Sequence, residues 1–186
     1  MSAERQGVLY AAVPEVFTFL AKLLRMPPDF FAEPADPPTT LIHGALGRDD
    51  VLFRPHADGP EPVLIDFEHA RVGRGTEDIA ALINSLSPAE RAAGRKGLLE
   101  AYMAGLKLAG VPADPPQLAE EIDRQRILQA GKDLPQVCGL YIQRAGDADQ
   151  RQWCASFEQT ARSDASEMKK LLDGFHYPEP PVPKEV

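Results

Sequence analysis

The sequence predicts a mostly helical α+β fold, and two observations carry that expectation. Apolar residues recur at helical spacing along most of the chain, beginning with Val16, Phe17, Phe19, Leu20, Leu23 and Leu24. One stretch breaks the pattern: two short apolar runs, Val51–Phe53 and Val63–Ile65, flank a turn-rich segment at 54–62 and read as one small β-hairpin. Each run is too short for a sheet that stands alone. A small β element among long helices suits the holding of loops at fixed positions for a site better than it suits packing alone.

In chain order, a helix is expected over 13–25, with Pro14 in its first turn, where the missing N–H is no loss. An irregular proline-rich connection follows to residue 40. Ser87-Pro88-Ala89-Glu90 is a capping box with proline at the first helical position. The helix it opens has an apolar face of Leu98, Leu99, Tyr102, Met103 and Leu106 and closes at Gly110 and Pro112. Further helices are expected at 117–130, 134–144 and 150–172. In the last of these Trp153, Phe157, Ala161, Met168 and Leu172 share a face. The tail, 178–186, is proline-rich and charged, and is expected to be disordered.

A chain of 186 residues suffices for one domain with a real core. Its net charge of −8 argues against DNA or RNA as a main partner, because a phosphate-tracking surface wants a basic face. Cys138 and Cys154 are expected as free thiols in a reducing compartment. The N-terminus has no basic n-region, and its apolar stretch ends at Pro14 and Glu15. With no run approaching a membrane span, a cytoplasmic protein without a membrane partner is expected.

The chemistry-bearing residues lie between 41 and 80. Leu41-Ile42-His43-Gly44-Ala45-Leu46-Gly47-Arg48-Asp49-Asp50 runs into the first apolar strand, and Val63-Leu64-Ile65-Asp66-Phe67-Glu68 ends the second. Gly73-Arg74-Gly75-Thr76-Glu77-Asp78-Ile79-Ala80 opens the next helix. These three elements, in this order and spacing, resemble the catalytic loop, metal-binding strand end and glycine-to-Asp-Leu-Ala segment of the aminoglycoside phosphotransferase and choline kinase-like superfamily of small-molecule kinases.

The resemblance implies the C-terminal lobe of a protein-kinase-like fold, carrying one small β-hairpin and lacking the N-lobe. It implies 1–40 as an N-terminal helix and connection, 41–177 as the lobe (motifs at 41–80, helical subdomain at 87–177), and 178–186 as a tail. ATP and Mg2+ are the implied cofactors, with a small-molecule hydroxyl acceptor. Asp50 and Asp66 take the places of the metal ligands. Leu52 and Ile65 take those of residues beneath the adenine, and are expected in the core whether or not nucleotide binds. Asp78 corresponds to a loop anchor, and His43 to a residue that supports the loop backbone rather than acting in the chemistry.

Bottom-up, the residue types suit phosphoryl transfer, which rests on positioning, on magnesium neutralising phosphate charge, and on a carboxylate that orients the attacking hydroxyl. Two departures oppose that function. Ala45 stands where the family pattern has its catalytic aspartate, and loss of a positioned base typically costs about 10²–10⁴ in rate. Asp50 stands where the pattern has asparagine, which keeps an oxygen ligand but adds negative charge. The residues before Leu41 also show no glycine-rich strand-loop-strand and no strand-borne lysine.

Simpler readings exist for each residue: Asp49-Asp50 as a polar turn, Asp66 as a turn residue after a strand, and Asp78 as a first-turn aspartate favoured by the helix dipole. Glu68-His69 and Glu120-Glu121 read as solvated surface charge. Three functions remain open: a truncated, catalytically impaired relative; a genuine phosphotransferase whose N-lobe lies on another chain or was omitted; and a non-catalytic binding or interaction module on the same scaffold. A separate N-lobe or a homo-oligomer partner is the expected protein partner.

Overall fold

The computed structural model describes residues 3–32, 39–145 and 147–175. The expected disordered tail, 178–186, lies outside the described residues. The elements are α1 (Ala3–Ala12), α2 (Pro14–Leu23), α3 (Pro28–Phe31), β1 (Thr40–Ile42), β2 (Val51–Arg54), β3 (Glu61–Leu64), β4 (Arg71–Gly73), α4 (Gly75–Ser85), α5 (Pro88–Leu108), α6 (Pro115–Arg144) and α7 (Arg151–Gly174). The mostly helical α+β class holds.

The β content differs from the single hairpin expected. β2 and β3 do form the hairpin, with Val51 opposite Leu64 and Leu52 opposite Val63. A second two-stranded antiparallel sheet joins β1 to β4, pairing Thr40 with Gly73 and Ile42 with Arg71. The two helices expected at 117–130 and 134–144 are one, α6, with Pro135 inside it. Proline removes one i→i−4 bond there without ending the helix.

The chain divides into two compact units, Met1–Glu33 with Ala130–Val186, and Pro34–Gln129. In the first, α2 packs along α7. Val16, Phe19 and Leu23 of α2 are buried, as are Phe157, Ala161, Ala165, Met168 and Leu172 of α7. Gly131 lies so close to α2 that an added Cβ would stand 2.5 Å from Leu23 Cδ2. Tyr141 donates its hydroxyl hydrogen bond to Glu158 Oε1 at 2.6 Å. Burial, then that bond and the carboxylate's charge, push the Tyr141 phenol up to about 12. Cys138 and Cys154 are free thiols.

The second unit is centred on Ala80 and Ile83 of α4 and Ile122 of α6. Two buried arginines inside it are held by backbone and side-chain acceptors. Arg126, fully buried, donates Nε to Asn84 Oδ1 at 3.0 Å, and Asn84 Nδ2 donates back to the Arg126 carbonyl at 3.0 Å. Arg91 Nη1 donates to the carbonyls of Leu86 and Asn84, which the end of α4 leaves without helical partners. The Ser87 capping box starts α5 as expected, with Ser87 Oγ accepting from Glu90 N and Glu90 Oε2 accepting from Ser87 N.

Two outcomes test this description. Ile83→Ala, which removes a fully buried side chain, should destabilise the second unit by roughly 2–5 kcal/mol in denaturant unfolding. Leu108→Ala, at a site 90% exposed, should stay within about 0.5 kcal/mol of wild type. Because its folded-state pKa is raised, Tyr141 contributes stability that is complete below the ordinary phenol range and lost as pH climbs towards about 12. Ultraviolet titration should therefore show a tyrosinate step towards about 12 that is missing in Tyr141→Phe.

Candidate functional site

The site is built on the loop between β1 and β2. Asp78, in the first turn of α4, accepts two backbone hydrogen bonds from it: His43 N at 2.7 Å on Oδ2 and Gly44 N at 2.9 Å on Oδ1. Such charge-assisted bonds are roughly twice as strong as neutral ones. Gly44 has φ +88°, and a Cβ there would stand 2.1 Å from the His69 carbonyl oxygen, so glycine is demanded twice over.

His43 is buried beneath the loop. Its Nε2 lies 2.6 Å from the Ile65 carbonyl, an acceptor, so Nε2 carries the proton. The ring also packs on Phe67 at 4.8 Å between centroids, and Nδ1 is buried without a partner among the described residues. Asp50 braces the far end of the loop, its Oδ2 accepting from Gly47 N at 2.7 Å. Arg48 N donates to Ser85 Oγ, and Arg48 Nη1 pairs with Glu90, tying the loop to α4 and α5.

Hairpin register brings the two acidic positions together. Ile65 N donates to the Asp50 carbonyl at 3.0 Å, so Asp50 lies beside the residue that precedes Asp66. Asp66 is exposed and left-handed at φ 62°, the only non-glycine with positive φ among the described residues. Its carboxylate has no partner among them, while Asp50 has one oxygen uncommitted. The donor set fits magnesium, which takes one or two protein carboxylates together with substrate phosphates and water. Among the described residues no group of three or more His, Cys, Asp and Glu is gathered for an ion, so phosphate oxygens would have to complete the shell.

Ala45 is exposed at the turn of the loop, between the clamped Gly44 and the buried Leu46. Its methyl group can neither accept a proton nor orient a hydroxyl. Leu52 and Ile65, expected in the core, are instead 51% and 39% exposed. Phe53, Leu64 and Phe67 are exposed with them.

Another expectation also needs correction. Glu121, read from sequence as surface charge, accepts from Arg74 Nη1 at 2.7 Å and from Arg124 Nε at 2.9 Å. Nothing in the sequence singles out this cluster, because Arg74 and Glu121 are 47 residues apart. Glu68 and His69 form an exposed pair, as expected.

Asp78→Ala should leave the His43 and Gly44 amides without acceptors and cost roughly 1–3 kcal/mol. Hydrogen exchange should accelerate at those two amides while the amides of α5 stay protected. Unchanged exchange at both would show that the loop is held without Asp78.

Among the described residues no helix is long and apolar enough to cross a membrane. The chain matches none of the curated proteins and none of the solved structures with which it was compared. Residues 2–120, more than half of the chain and including the whole loop, match the model of the phosphotransferase enzyme family. The chain belongs to that family.

Proposed function

We propose that this protein is a catalytically impaired relative of the ATP-dependent hydroxyl kinases, a kinase C-lobe scaffold that binds where its relatives transfer phosphate. The observation that carries the reading is Ala45, exposed at the turn of a loop otherwise held by Asp78, His43 and Asp50. Every brace of the loop comes from another residue, so replacing the base leaves the geometry standing and removes only the proton acceptor.

Magnesium, when bound with a nucleotide, neutralises phosphate charge. The chain's part would be Asp66, with the free oxygen of Asp50, to hold the ion. Asp50 also keeps the loop closed through Gly47, so its two oxygens would serve loop and ion separately. His43 and Asp78 orient the backbone around Ala45 and touch no reacting atom.

A second reading has one observation in its favour. The exposed apolar side chains of the hairpin, Leu52, Phe53, Leu64, Ile65 and Phe67, suit coverage by another polypeptide, either a separate nucleotide-binding lobe or a second copy of the chain. On that reading phosphotransfer would still lack a base at position 45.

Steady-state assay with Mg·ATP and a panel of hydroxyl acceptors tests the first reading. Wild type should show turnover far below the roughly 1–100 s⁻¹ of working kinases. Ala45→Asp should raise any residual transfer by about 10²–10⁴. A wild-type rate within the working range would sink the proposal.

A further inference from the structure

Behind the loop, on the side of α4, α5 and α6, the second unit holds a half-open cavity of about 860 Å³. Its volume is in the range of small-molecule sites, roughly 300–1,000 Å³. Ala45, Asp50 and Asp66 are absent from its lining, so it is separate from the position where phosphotransfer would occur. Its walls are apolar in the main, and Ile42, Leu46, Ile79, Leu106 and Leu118 stand among them.

Charge decides what kind of head group a ligand can carry here. Four carboxylates line the cavity, Asp78, Asp114, Glu120 and Glu121, against two guanidiniums, Arg74 and Arg124. That balance opposes an anion. It offers a cation little at the buried end either, because the carboxylates there are already engaged. Asp78 accepts the His43 and Gly44 amides, one on each oxygen. Glu121 accepts from Arg74 and Gln125 on Oε1 and from Arg124 on Oε2. Asp114 and Glu120 are exposed, where solvent screens their charge. A neutral ligand meets neither obstacle.

The Tyr102 hydroxyl, in contrast, is uncommitted. Tyr102 lines the cavity, half-buried, and makes no hydrogen bond among the described residues. Its Oη lies so close to Gly75, at the start of α4, that an added Cβ there would clash with it. Burial, then the charge of Asp78, hold the phenol above its usual range, so it keeps its proton and can donate. A ligand donor would find the carboxylates of Asp78 and Glu121 taken, whereas a ligand acceptor finds this O–H free. Leu106, one turn further along α5, lines the same cavity and offers an apolar surface next to the hydroxyl.

We propose that this cavity is a second binding site, for a neutral, mainly apolar molecule bearing a carbonyl-type hydrogen-bond acceptor. The acceptor is received by the hydroxyl of Tyr102, and the apolar body lies against Ile42, Ile79, Leu106 and Leu118.

The test uses three probes with one eight-carbon body: 2-octanone, octanoate and octylammonium. Each is titrated calorimetrically into the full chain below the concentration at which it self-associates. The ketone should bind saturably at one site, at least about tenfold more tightly than either ion, because an ion would leave water without a free partner. Tyr102→Phe keeps the ring and removes the donor, and should weaken ketone binding about three- to tenfold, as the loss of one hydrogen bond predicts. Leu106→Trp, which narrows the cavity and leaves the hydroxyl in place, should weaken it at least about tenfold. Thermal unfolding shows whether each variant is folded, and either one alone keeps the test decisive. No saturable binding of 2-octanone, equal or tighter binding of either ion, or ketone binding unchanged in a folded Tyr102→Phe or Leu106→Trp protein would each overturn the proposal.

Discussion

The carboxylate of Asp78 is the interaction on which the site depends. It sits in the first turn of α4 and holds two consecutive backbone amides of a loop 34 and 35 residues earlier. The stretch around these two amides lies in neither helix nor strand, and its amides need acceptors once they leave water. Asp78 supplies both with one side chain, which fixes the loop to a helix anchored in the core through Ala80 and Ile83. Gly44 follows from the same constraint. With its N–H directed at Asp78 and the His69 carbonyl against its α-carbon, only a residue without a side chain fits.

The other braces are independent of this one and act on different atoms. His43 reaches across to the Ile65 carbonyl, Asp50 folds back on Gly47, and Ile65 N returns a bond to the Asp50 carbonyl. None involves the side chain at position 45. The loop of this chain is therefore held without a side-chain hydrogen bond from position 45.

Much of this was legible in the sequence because it was local. The Ser87 capping box, the closing Gly110 and the helical face of α7 each depend on residues a few positions apart. The loop motif was legible because its parts keep family spacing. What escaped was set by distance or by surroundings. β1 and β4 are three residues each, too short to show a period of two, and their pairing joins residues about 30 positions apart. Leu52 and Ile65 looked like core because they are apolar and in strands, but burial requires a covering layer, and a strand's composition does not say whether one exists. The cluster of Arg74, Glu121 and Arg124 was hidden for the same reason: a charged residue reads as surface until its partner is known.

Asp78 also faces two ways. Its oxygens hold the loop, and the same residue lines the cavity behind it, close enough to Tyr102 to raise that phenol's pKa. A substitution at Asp78 therefore acts on the loop amides and on the surroundings of Tyr102 together, and the two effects cannot be separated by changing that residue alone.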